Sequence, residues 1–573
     1  MNNELLIREA LLYKNLENHE QSECKILTEG EEVKGCVWVD SGKICEMERA
    51  MLPVYQTEDG KTMFADFAHA TVIGSTGTGK SEVIIKNTIR AFAEMKDEIK
   101  PSFVAADLKG DISRGLYKTL REGGYKILIF DMKRPYQSAR YNFMTQIYDD
   151  YREACKIKRM LDNFNIAKSF DGVEYSSAEE ARLAANAKYL TLTDNVEEAI
   201  SEIVNIIIVC DDPKNTSWFQ GARNMLSAII MTMLHDTENE KCGMTRENFT
   251  ISNACRIAFH TDDDCDELVD WLKRAEDKLV VKNAITGNYK INAKVTRDGY
   301  ISTLNTALGS YVSNAVGALT QTSDDICLRD IAERREPYAI FLITDDRRKV
   351  TNSIAMTFIN DLVTELTRYA DNSNVREMSR DFVFLLDEFA NMPPMPNMSN
   401  KITTLRSRRI WMIMAIQSIQ QLKQVYGDEV AEIIRDNCDL SIFLGSNNRN
   451  TKEIFSASMG QRAGITTSYQ KSNDGGTSEH VTTANIPVVR ISDLDALSLG
   501  QFYIASRTFV NLLSYMSPYF KRHNPDDERE YKEGAFRHFA QSENIYRIDE
   551  VLRKENEEDI SGGAGRRKFN FNF

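Results

Sequence analysis

A glycine-rich stretch near the amino terminus has the residue types and spacing needed to hold a phosphate. Within "TVIGSTGTGKSEVI" (71–84), the pattern G-x-x-x-x-G-K-[ST] covers eight consecutive residues: Gly74, Ser75, Thr76, Gly77, Thr78, Gly79, Lys80 and Ser81. Glycines let consecutive backbone N–H groups approach phosphate oxygens closely, and the helix that follows points its positive dipole end at the anion. The pattern predicts an ATP-binding loop in which Lys80 contacts the β- and γ-phosphates and Ser81 binds Mg²⁺.

Acidic residues suited to metal binding and proton transfer follow much further along the chain. The apolar run "FVFLLDEF" (382–389) contains Asp387 and Glu388 at its end. An aspartate at the end of such a strand can hold Mg²⁺ through water, and an adjacent glutamate can polarise the attacking water, which is typical of a hydrolase rather than a kinase. The two acids could instead simply end a strand, but the phosphate loop favours the catalytic interpretation.

Polar residues around the next apolar run supply further candidates. The run within "RIWMIMAIQS" (409–418) ends in Gln417, whose amide is placed to contact the γ-phosphate, although a polar strand end without a role is the alternative. Just before it, "LRSRR" carries Arg406, Arg408 and Arg409. A ring ATPase needs a cation from the neighbouring subunit to neutralise transition-state charge. A charge run is more often a solvated surface, and the residues alone leave both interpretations open.

The elements that must position these residues are short strands alternating with helices. Apolar runs of strand length occur at 71–73, 102–107, 126–131, 338–344, 381–389, 409–418, 440–446 and 500–506. Helical spacing dominates from about 145 to 330, as in "SWFQGARNMLSAIIMTMLHD" (217–236). This order predicts an α/β fold with a parallel sheet, interrupted by a helical insertion.

The predicted domain organisation follows from the points where these patterns change. The segments are a soluble amino-terminal part (1–68), a nucleotide-binding domain in two parts (69–147 and 326–525), an inserted all-α domain (148–325) and a carboxyl-terminal helix with a flexible tail (526–573). The polar, Gly- and Ser-rich stretch 466–480 predicts a mobile loop, and residues 561–573 predict a disordered tail.

Composition and charge narrow the class of protein. The 573 residues are 42% hydrophobic and 27% charged, which describes a globular chain of two or three domains. The net charge of −14 provides no global basic field, so any DNA contact is confined to local patches. Ten cysteines without CxxC spacing favour reduced thiols over zinc sites or disulfides. The longest apolar runs, 203–210 and 225–234, are too short to span a bilayer, so we expect a soluble, cytoplasmic protein.

A set of motifs in a fixed order connects these separate observations. They are "GSTGTGKS" (74–81), "AADLKGD" (105–111), "RYNFM" (140–144), "WFQGARNMLSAII" (218–230), "FLLDEFANMP" (384–393), "IWMIMAIQSIQQLKQVYG" (410–427) and "NCDLSIFLGSNN" (437–448). With this set the chain resembles the type IV coupling proteins, the TraG/TraD-like conjugative ATPases, from about residue 64 to 520. "AADLKGD" is similar to the family's DPKGE stretch but lacks its proline.

The resemblance implies a RecA-like P-loop motor domain with an inserted all-α domain, assembled as a hexameric ring. It also implies ATP-driven passage of relaxase-linked single-stranded DNA to the components of a type IV secretion channel. The family's ATP-site positions correspond to Lys80, Ser81, Asp387, Glu388 and Gln417. Arg406 stands at the spacing of the family's trans-acting arginine, which favours that role over a solvated surface.

The resemblance departs from the family pattern at the amino terminus, and alternatives in function remain. Most members carry transmembrane helices before the motor, whereas about 70 soluble residues precede the phosphate loop here. Either this is a membrane-free member, or a separate subunit anchors it at the inner face of the cell membrane. The competing functions are a double-stranded DNA translocase of the FtsK/HerA kind, a nucleotide-switched substrate receptor without translocase activity, and an ATPase that exports protein only.

Overall fold

The computed structural model describes residues 25–26 and 33–553, except 41, 58, 164–165, 211–212, 261–264, 292, 334, 346, 472–476, 523–524 and 540–544. Its strands are β1 (Lys25–Ile26), β2 (Cys36–Val39), β3 (Leu52–Gln56), β4 (Thr62–Ala65), β5 (Ala70–Gly74), β6 (Ser102–Ala106), β7 (Lys126–Asp131), β8 (Ser169–Phe170), β9 (Val173–Glu174), β10 (Tyr338–Ile343), β11 (Phe382–Leu386), β12 (Ile410–Ile416), β13 (Leu440–Gly445), β14 (Gln461–Lys471), β15 (Thr477–Pro487), β16 (Gln501–Ser506) and β17 (Leu512–Tyr515). The tail at 561–573 lies outside the described residues.

The helices of the described chain alternate with these strands or lie between β7 and β10. They are α1 (Lys86–Glu94), α2 (Asp111–Glu122), α3 (Thr145–Asp162), α4 (Ala178–Ile207), α5 (Thr216–Asp236), α6 (Ile251–Ala258), α7 (Asp266–Leu272), α8 (Leu279–Ala284), α9 (Lys294–Leu308), α10 (Asn314–Leu319), α11 (Leu328–Glu333), α12 (Lys349–Asn372), α13 (Met398–Leu405), α14 (Ile419–Asp436), α15 (Arg449–Ser458), α16 (Ile491–Asp495) and α17 (Pro525–Glu530). Of these helices, none is both long and apolar enough to cross a lipid bilayer.

A ten-stranded sheet forms the centre of the molecule, in the order β1-β17-β16-β13-β5-β12-β11-β6-β10-β7. The strands from β13 to β7 are parallel, as the sequence predicts, so their carboxyl ends meet at one edge. Strand β16 runs antiparallel to both of its neighbours, β13 and β17, which the parallel prediction missed, whereas β17 pairs in parallel with β1. Parallel strands need helical crossovers, and the alternation of helices with strands supplies them.

Both faces of this sheet are covered, which explains why its strands are continuous apolar runs. Every residue of β6 and β10 is buried. Phe103 and Ala105 pack into the cluster that contains Phe92 of α1, whereas Val104 packs into the cluster that contains Phe358 of α12. The alternate residues of one strand therefore fix helices on opposite faces and hold the strand ends at a defined edge.

Helices α3 to α11 lie between β7 and β10, in the region where the sequence predicts an inserted all-α domain. The small hairpin of β8 and β9 is the exception within this region. Its boundaries at residues 148 and 325 stay a prediction.

The prediction of a mobile loop at 466–480 is wrong for residues 466–471 and 477–480, while 472–476 lie outside the described residues. The chain there forms an antiparallel ribbon of two eleven-residue strands, β14 and β15, paired from Gln461 with Pro487 to Lys471 with Thr477. These strands are rich in Thr, which favours extended backbone, while Asn473, Asp474, Gly475 and Gly476 fall between them in the sequence. Because the whole stretch is polar, its hydropathy does not distinguish the strands from the Asn, Asp and Gly residues between them.

Candidate nucleotide-binding site

The glycine-rich loop follows β5 and has the backbone shape expected of a phosphate cradle. Gly77 and Gly79 adopt positive φ angles of 87° and 94°, a region that side chains disfavour. A Cβ atom added to Gly74 would lie 2.4 Å from Thr78 Oγ1. The Thr78 backbone N–H donates to the Ser75 carbonyl at 3.2 Å and closes the turn. The shape of the loop thus depends on glycine at Gly74 and Gly79, the two positions that the motif specifies, and at Gly77 between them.

Neighbouring strand β13 holds this loop in place through contacts that the sequence did not reveal. The Ser75 backbone N–H donates to the Gly445 carbonyl at 2.8 Å, and the Asn447 backbone N–H donates to Ser75 Oγ at 3.2 Å. Gly445 and Asn447 belong to the motif "NCDLSIFLGSNN", which contributes to the family resemblance. The motif alone did not predict that these residues contact the phosphate loop.

Lys80 begins the helical segment behind the loop and is turned into the site. A π-helical turn (Lys80–Ile85) leads directly into α1. The Lys80 side chain is 5% exposed, and its Nζ donates to the Gly74 carbonyl at 2.7 Å and to Glu388 Oε1 at 3.3 Å. The ammonium group therefore lies between the phosphate loop and the acidic residue that the sequence placed more than 300 positions away.

Ser81 and Asp387 also meet, with Ser81 Oγ donating to Asp387 Oδ2 at 2.6 Å. Burial raises the pKa of Asp387, while the Ser81 hydrogen bond and the charge of Lys80 oppose that rise. A hydroxyl and a carboxylate oxygen are hard ligands of the kind Mg²⁺ prefers, and one or two protein ligands beside substrate phosphates suffice for it. With the glycine cradle next to them, these residues fit a nucleotide and its Mg²⁺.

Glu388 is held by donors from three elements. Its Oε2 accepts from Gln417 Nε2 at 2.8 Å and from Asn391 Nδ2 at 3.3 Å, while Lys80 contacts Oε1. The residue has a positive φ of 52°, which is costly outside glycine and persists only where the surroundings enforce it. Asn391 was not predicted, although it lies in the motif "FLLDEFANMP". The arrangement fixes one carboxylate beside the phosphate loop.

Arg406 lies apart from this group. It precedes β12, whereas Gln417 follows β12, so the two residues are at opposite ends of the same strand. The Arg406 side chain is 59% exposed, and its Nη1 contacts Asp439 Oδ2 at 2.8 Å. Arg408 and Arg409 pair with Asp371 and Asp381 and are less exposed. Arg406 is therefore placed away from the phosphate loop of its own chain.

A comparison of the whole sequence with known families defines the class of protein. Residues 16–488 match the family described as "Type IV secretory system Conjugative DNA transfer". Because this match spans most of the chain, the protein belongs to that family, and the resemblance drawn from the motifs is confirmed. Among curated proteins, none matches the sequence closely enough to count as a relative.

Solved structures of a coupling protein share the fold. The bacterial conjugative coupling protein TrwBdeltaN70, in an unbound monoclinic form, has a TM-score of 0.53 and 15% identity over 88% of this chain and 99% of that one. TrwB with the ATP analogue ADPNP gives 0.55 and 14%, over 90% and 99%. TrwB with ADP and Mg²⁺ gives 0.53 and 14%, over 91% and 99%. At these identities the likeness concerns the fold, and it confirms the predicted α/β P-loop motor architecture.

Proposed function

We propose that the protein hydrolyses ATP and uses the energy to move DNA during conjugative transfer. The observation that carries the proposal is the convergence of Lys80, Ser81, Asp387, Glu388 and Gln417 at the carboxyl edge of the sheet. Family membership supports the transfer role, and the ADPNP and ADP–Mg²⁺ complexes of TrwB support ATP as the nucleotide.

Each side chain has a distinct part in the proposed hydrolysis. The loop Gly74, Ser75, Thr76, Gly77, Thr78 and Gly79 wraps the phosphates with its backbone N–H groups. Mg²⁺, held by Ser81 and Asp387, would neutralise charge on the β- and γ-phosphates. Lys80 exchanges its contact with Glu388 for one with phosphate oxygens. Glu388, released from that ion pair, accepts a proton from the attacking water, and Gln417 keeps its carboxylate oriented.

The proposal includes a hexameric ring in which Arg406 acts on the ATP of a neighbouring subunit. Its exposure and its place at the sheet edge remote from the phosphate loop support action in trans. A guanidinium delivered this way stabilises the charge of the transferring phosphoryl group. The proposed division into motor parts (69–147 and 326–525) and an inserted all-α domain (148–325) leaves the insertion free to bind cargo.

The proposed cargo is relaxase-linked single-stranded DNA, delivered to a type IV secretion channel. The work would take place at the cytoplasmic face of the cell membrane, in contact with channel components directly or through a membrane-anchor subunit. Family membership supports DNA and secretion components as partners.

The decisive experiment measures ATPase activity against protein concentration, with and without single-stranded DNA. A ring motor should show specific activity that rises with concentration and with DNA, and the stimulation should weaken as salt is added. A nucleotide-switched receptor would bind ATP with little stimulation, and a protein exporter would not respond to DNA. Stimulation by duplex but not by single strands would replace the proposed cargo with double-stranded DNA.

A further inference from the structure

Three neighbouring strands end in the same pattern, an aspartate followed by basic residues. After β6 the chain reads Asp107-Leu108-Lys109, β7 ends in Asp131 and continues as Met132-Lys133-Arg134, and after β10 it reads Asp345, then Arg347-Arg348-Lys349. These strands are adjacent in the order β6-β10-β7 and parallel, so the three loops lie side by side at the carboxyl edge of the sheet.

The aspartates of this pattern point inward and shape the loops. Asp107 is 2% exposed and accepts from the backbone N–H groups of Gly110 and Ser113, both at 2.9 Å. Asp345 is 3% exposed and accepts from the Arg347 backbone N–H at 3.1 Å. With their carboxylates used to organise backbone, the loops present their basic side chains outward.

Some of these cations serve the fold, and others face solvent. Lys133 Nζ donates to the Leu108 carbonyl and joins the β7 loop to the β6 loop, while Arg134 pairs with Glu533. The cations that remain on the surface are Lys109, Arg347, Arg348 and Lys349, with Arg347 83% and Arg348 49% exposed. We call these four residues the basic edge. Arg347 and Arg348 both approach Asp345, which holds their guanidinium groups near each other.

Two hydrogen bonds link the first turn of α12, which begins with Lys349 of the basic edge, to the candidate general base. Lys349 is the first residue of α12, and Asn352 lies in the first turn of that helix. Asn352 Nδ2 donates to the Asn391 carbonyl at 3.2 Å, and Asn391 Nδ2 donates to Glu388 Oε2 at 3.3 Å. A shift of the first turn of α12 would therefore move a donor of the Glu388 carboxylate.

We propose that the basic edge binds the phosphate backbone of the translocated DNA. Asn352 and Asn391 then couple this DNA binding to the position of the Glu388 carboxylate, which is the relay. The inference rests on the proposed function, and it assigns the DNA contact and its coupling to named residues. In a chain with a net charge of −14, a local group of exposed cations beside the catalytic edge is the kind of confined contact that anionic DNA requires. Binding would be independent of base sequence, because all four contacts are to phosphate.

The binding half is tested with the triple variant Arg347→Gln, Arg348→Gln and Lys349→Gln in the full-length protein. Binding of fluorescein-labelled oligothymidylate should weaken at least tenfold, and the slope of log K against log salt should shrink by about 2, since each phosphate contact on a single strand contributes about 0.7. The matched control replaces three exposed cations elsewhere, Lys156, Arg329 and Arg529, with Gln. It should bind like the wild type.

The outcomes separate this inference from the proposed function. If the wild type binds oligothymidylate and the triple variant binds equally tightly with the same salt slope, the basic edge is not the DNA site, and the proposed function stands. If the wild type neither binds DNA nor responds to it in ATPase assays, the proposed function fails and the inference with it.

The relay is tested by Asn352→Ala. We expect oligothymidylate affinity and the KM for ATP to stay at wild-type values, while the stimulation of kcat by DNA is largely lost. Asn352→Gln, which keeps an amide donor, should restore part of the stimulation. Full stimulation in Asn352→Ala would overturn the relay, and a parallel loss of DNA affinity would reassign Asn352 to the binding surface.

Discussion

The two ends of β12 carry candidate catalytic residues in opposite surroundings. At the carboxyl end, Gln417 joins a network of hydrogen bonds with Glu388 and, through it, Lys80. At the amino end, Arg406 is exposed and contacts only its own chain's Asp439 among the ion pairs of the described residues. The strand of seven residues separates them by roughly 20 Å.

The difference teaches how one strand can serve two sites. A residue that acts within its own subunit is best held by several partners. Each contact fixes the side chain in advance, so less conformational entropy is lost when the transition state forms. A residue that acts on a neighbouring subunit, as we propose for Arg406, must be exposed on the isolated chain. The amino end is nevertheless rigid, since Phe67 stacks on Trp411 at a centroid distance of 6.1 Å and His69 Nδ1 accepts from the Met412 backbone N–H at 3.0 Å.

The largest effect on catalysis is expected at the carboxyl end of β12. Glu388→Gln or Lys80→Ala should lower kcat by about 10⁴-fold, because the first removes the proposed base and the second the main phosphate cation. Steady-state ATPase assays measure the loss, and unchanged thermal unfolding shows that the fold is intact. The control Glu94→Gln removes a carboxylate that pairs with Arg90 on the surface and should leave kcat unchanged. Normal turnover by Glu388→Gln would refute the assignment of the base.

At the amino end, Arg406→Ala should lower kcat by about 10³-fold, and it should do so through the neighbouring subunit. Mixing the variant with wild-type protein at increasing ratios should reduce activity faster than the mutant fraction rises. Arg408→Ala, which breaks a surface pair with Asp371, is the matched control. A loss strictly proportional to the mutant fraction would mean that Arg406 does not act in trans.

Gln417→Ala should have a smaller effect, about 10²-fold on kcat, because Glu388 keeps its contacts with Lys80 and Asn391. ATP affinity measured with a fluorescent analogue should change little, since Gln417 orients the base rather than the phosphates. If affinity falls as far as kcat, the amide contacts the nucleotide in the ground state and the orienting role is wrong.

The smallest effect concerns the stability of the folded protein and involves His69, beside the amino end of β12. Burial and the nearby charge of Arg406 lower the pKa of His69 from 6.5 to about 4. The unfolded chain therefore takes up this proton below about pH 6.5 while the folded chain does not, so the free energy of unfolding should fall between pH 6.5 and 4, by about 2 kcal/mol near pH 5. Urea unfolding near pH 7 and pH 5 should show a smaller decline for His69→Gln. An equal decline in both proteins would contradict the assignment.

Local patterns in the sequence predicted much of the fold and the main residues that the structure brings together at the candidate site. Each strand from β5 to β13 in the motor coincides with a predicted apolar run, because a strand buried on both faces must be apolar throughout. The phosphate loop was predictable because its chemistry lies within eight consecutive residues. Asp387 and Glu388 were identified from their position after a strand, although their contacts with Ser81 and Lys80 needed the fold.

The features of the fold and the candidate site that the sequence did not predict depend on contacts between distant segments. Asn391 and Gly445 became site residues only because β11 and β13 lie near the loop after β5. The positive φ of Glu388 is imposed by its surroundings and has no signal in residue type. The antiparallel direction of β16 follows from pairing with β13, and an apolar run does not encode strand direction.

The order of strands in the central sheet has a consequence for how the chain folds as it is synthesised. Strands β5, β6 and β7 come early in the sequence, yet β5 pairs with β12 and β13, and β6 pairs with β10 and β11. More than 200 further residues must therefore be synthesised before the partners of these first strands exist. The helices between β7 and β10 pack largely against one another, as α3 does on α4 and α5 on α8 and α9, and can form during that interval.

The last of these partners is the one that completes the phosphate loop. The Gly445 carbonyl, which accepts from Ser75, is at the end of β13. A nascent chain shorter than about 445 residues consequently has the whole glycine-rich motif but lacks the strand that holds it. We therefore expect nucleotide binding to be a late event in biogenesis, with ATP stabilising only chains whose motor sheet is already assembled.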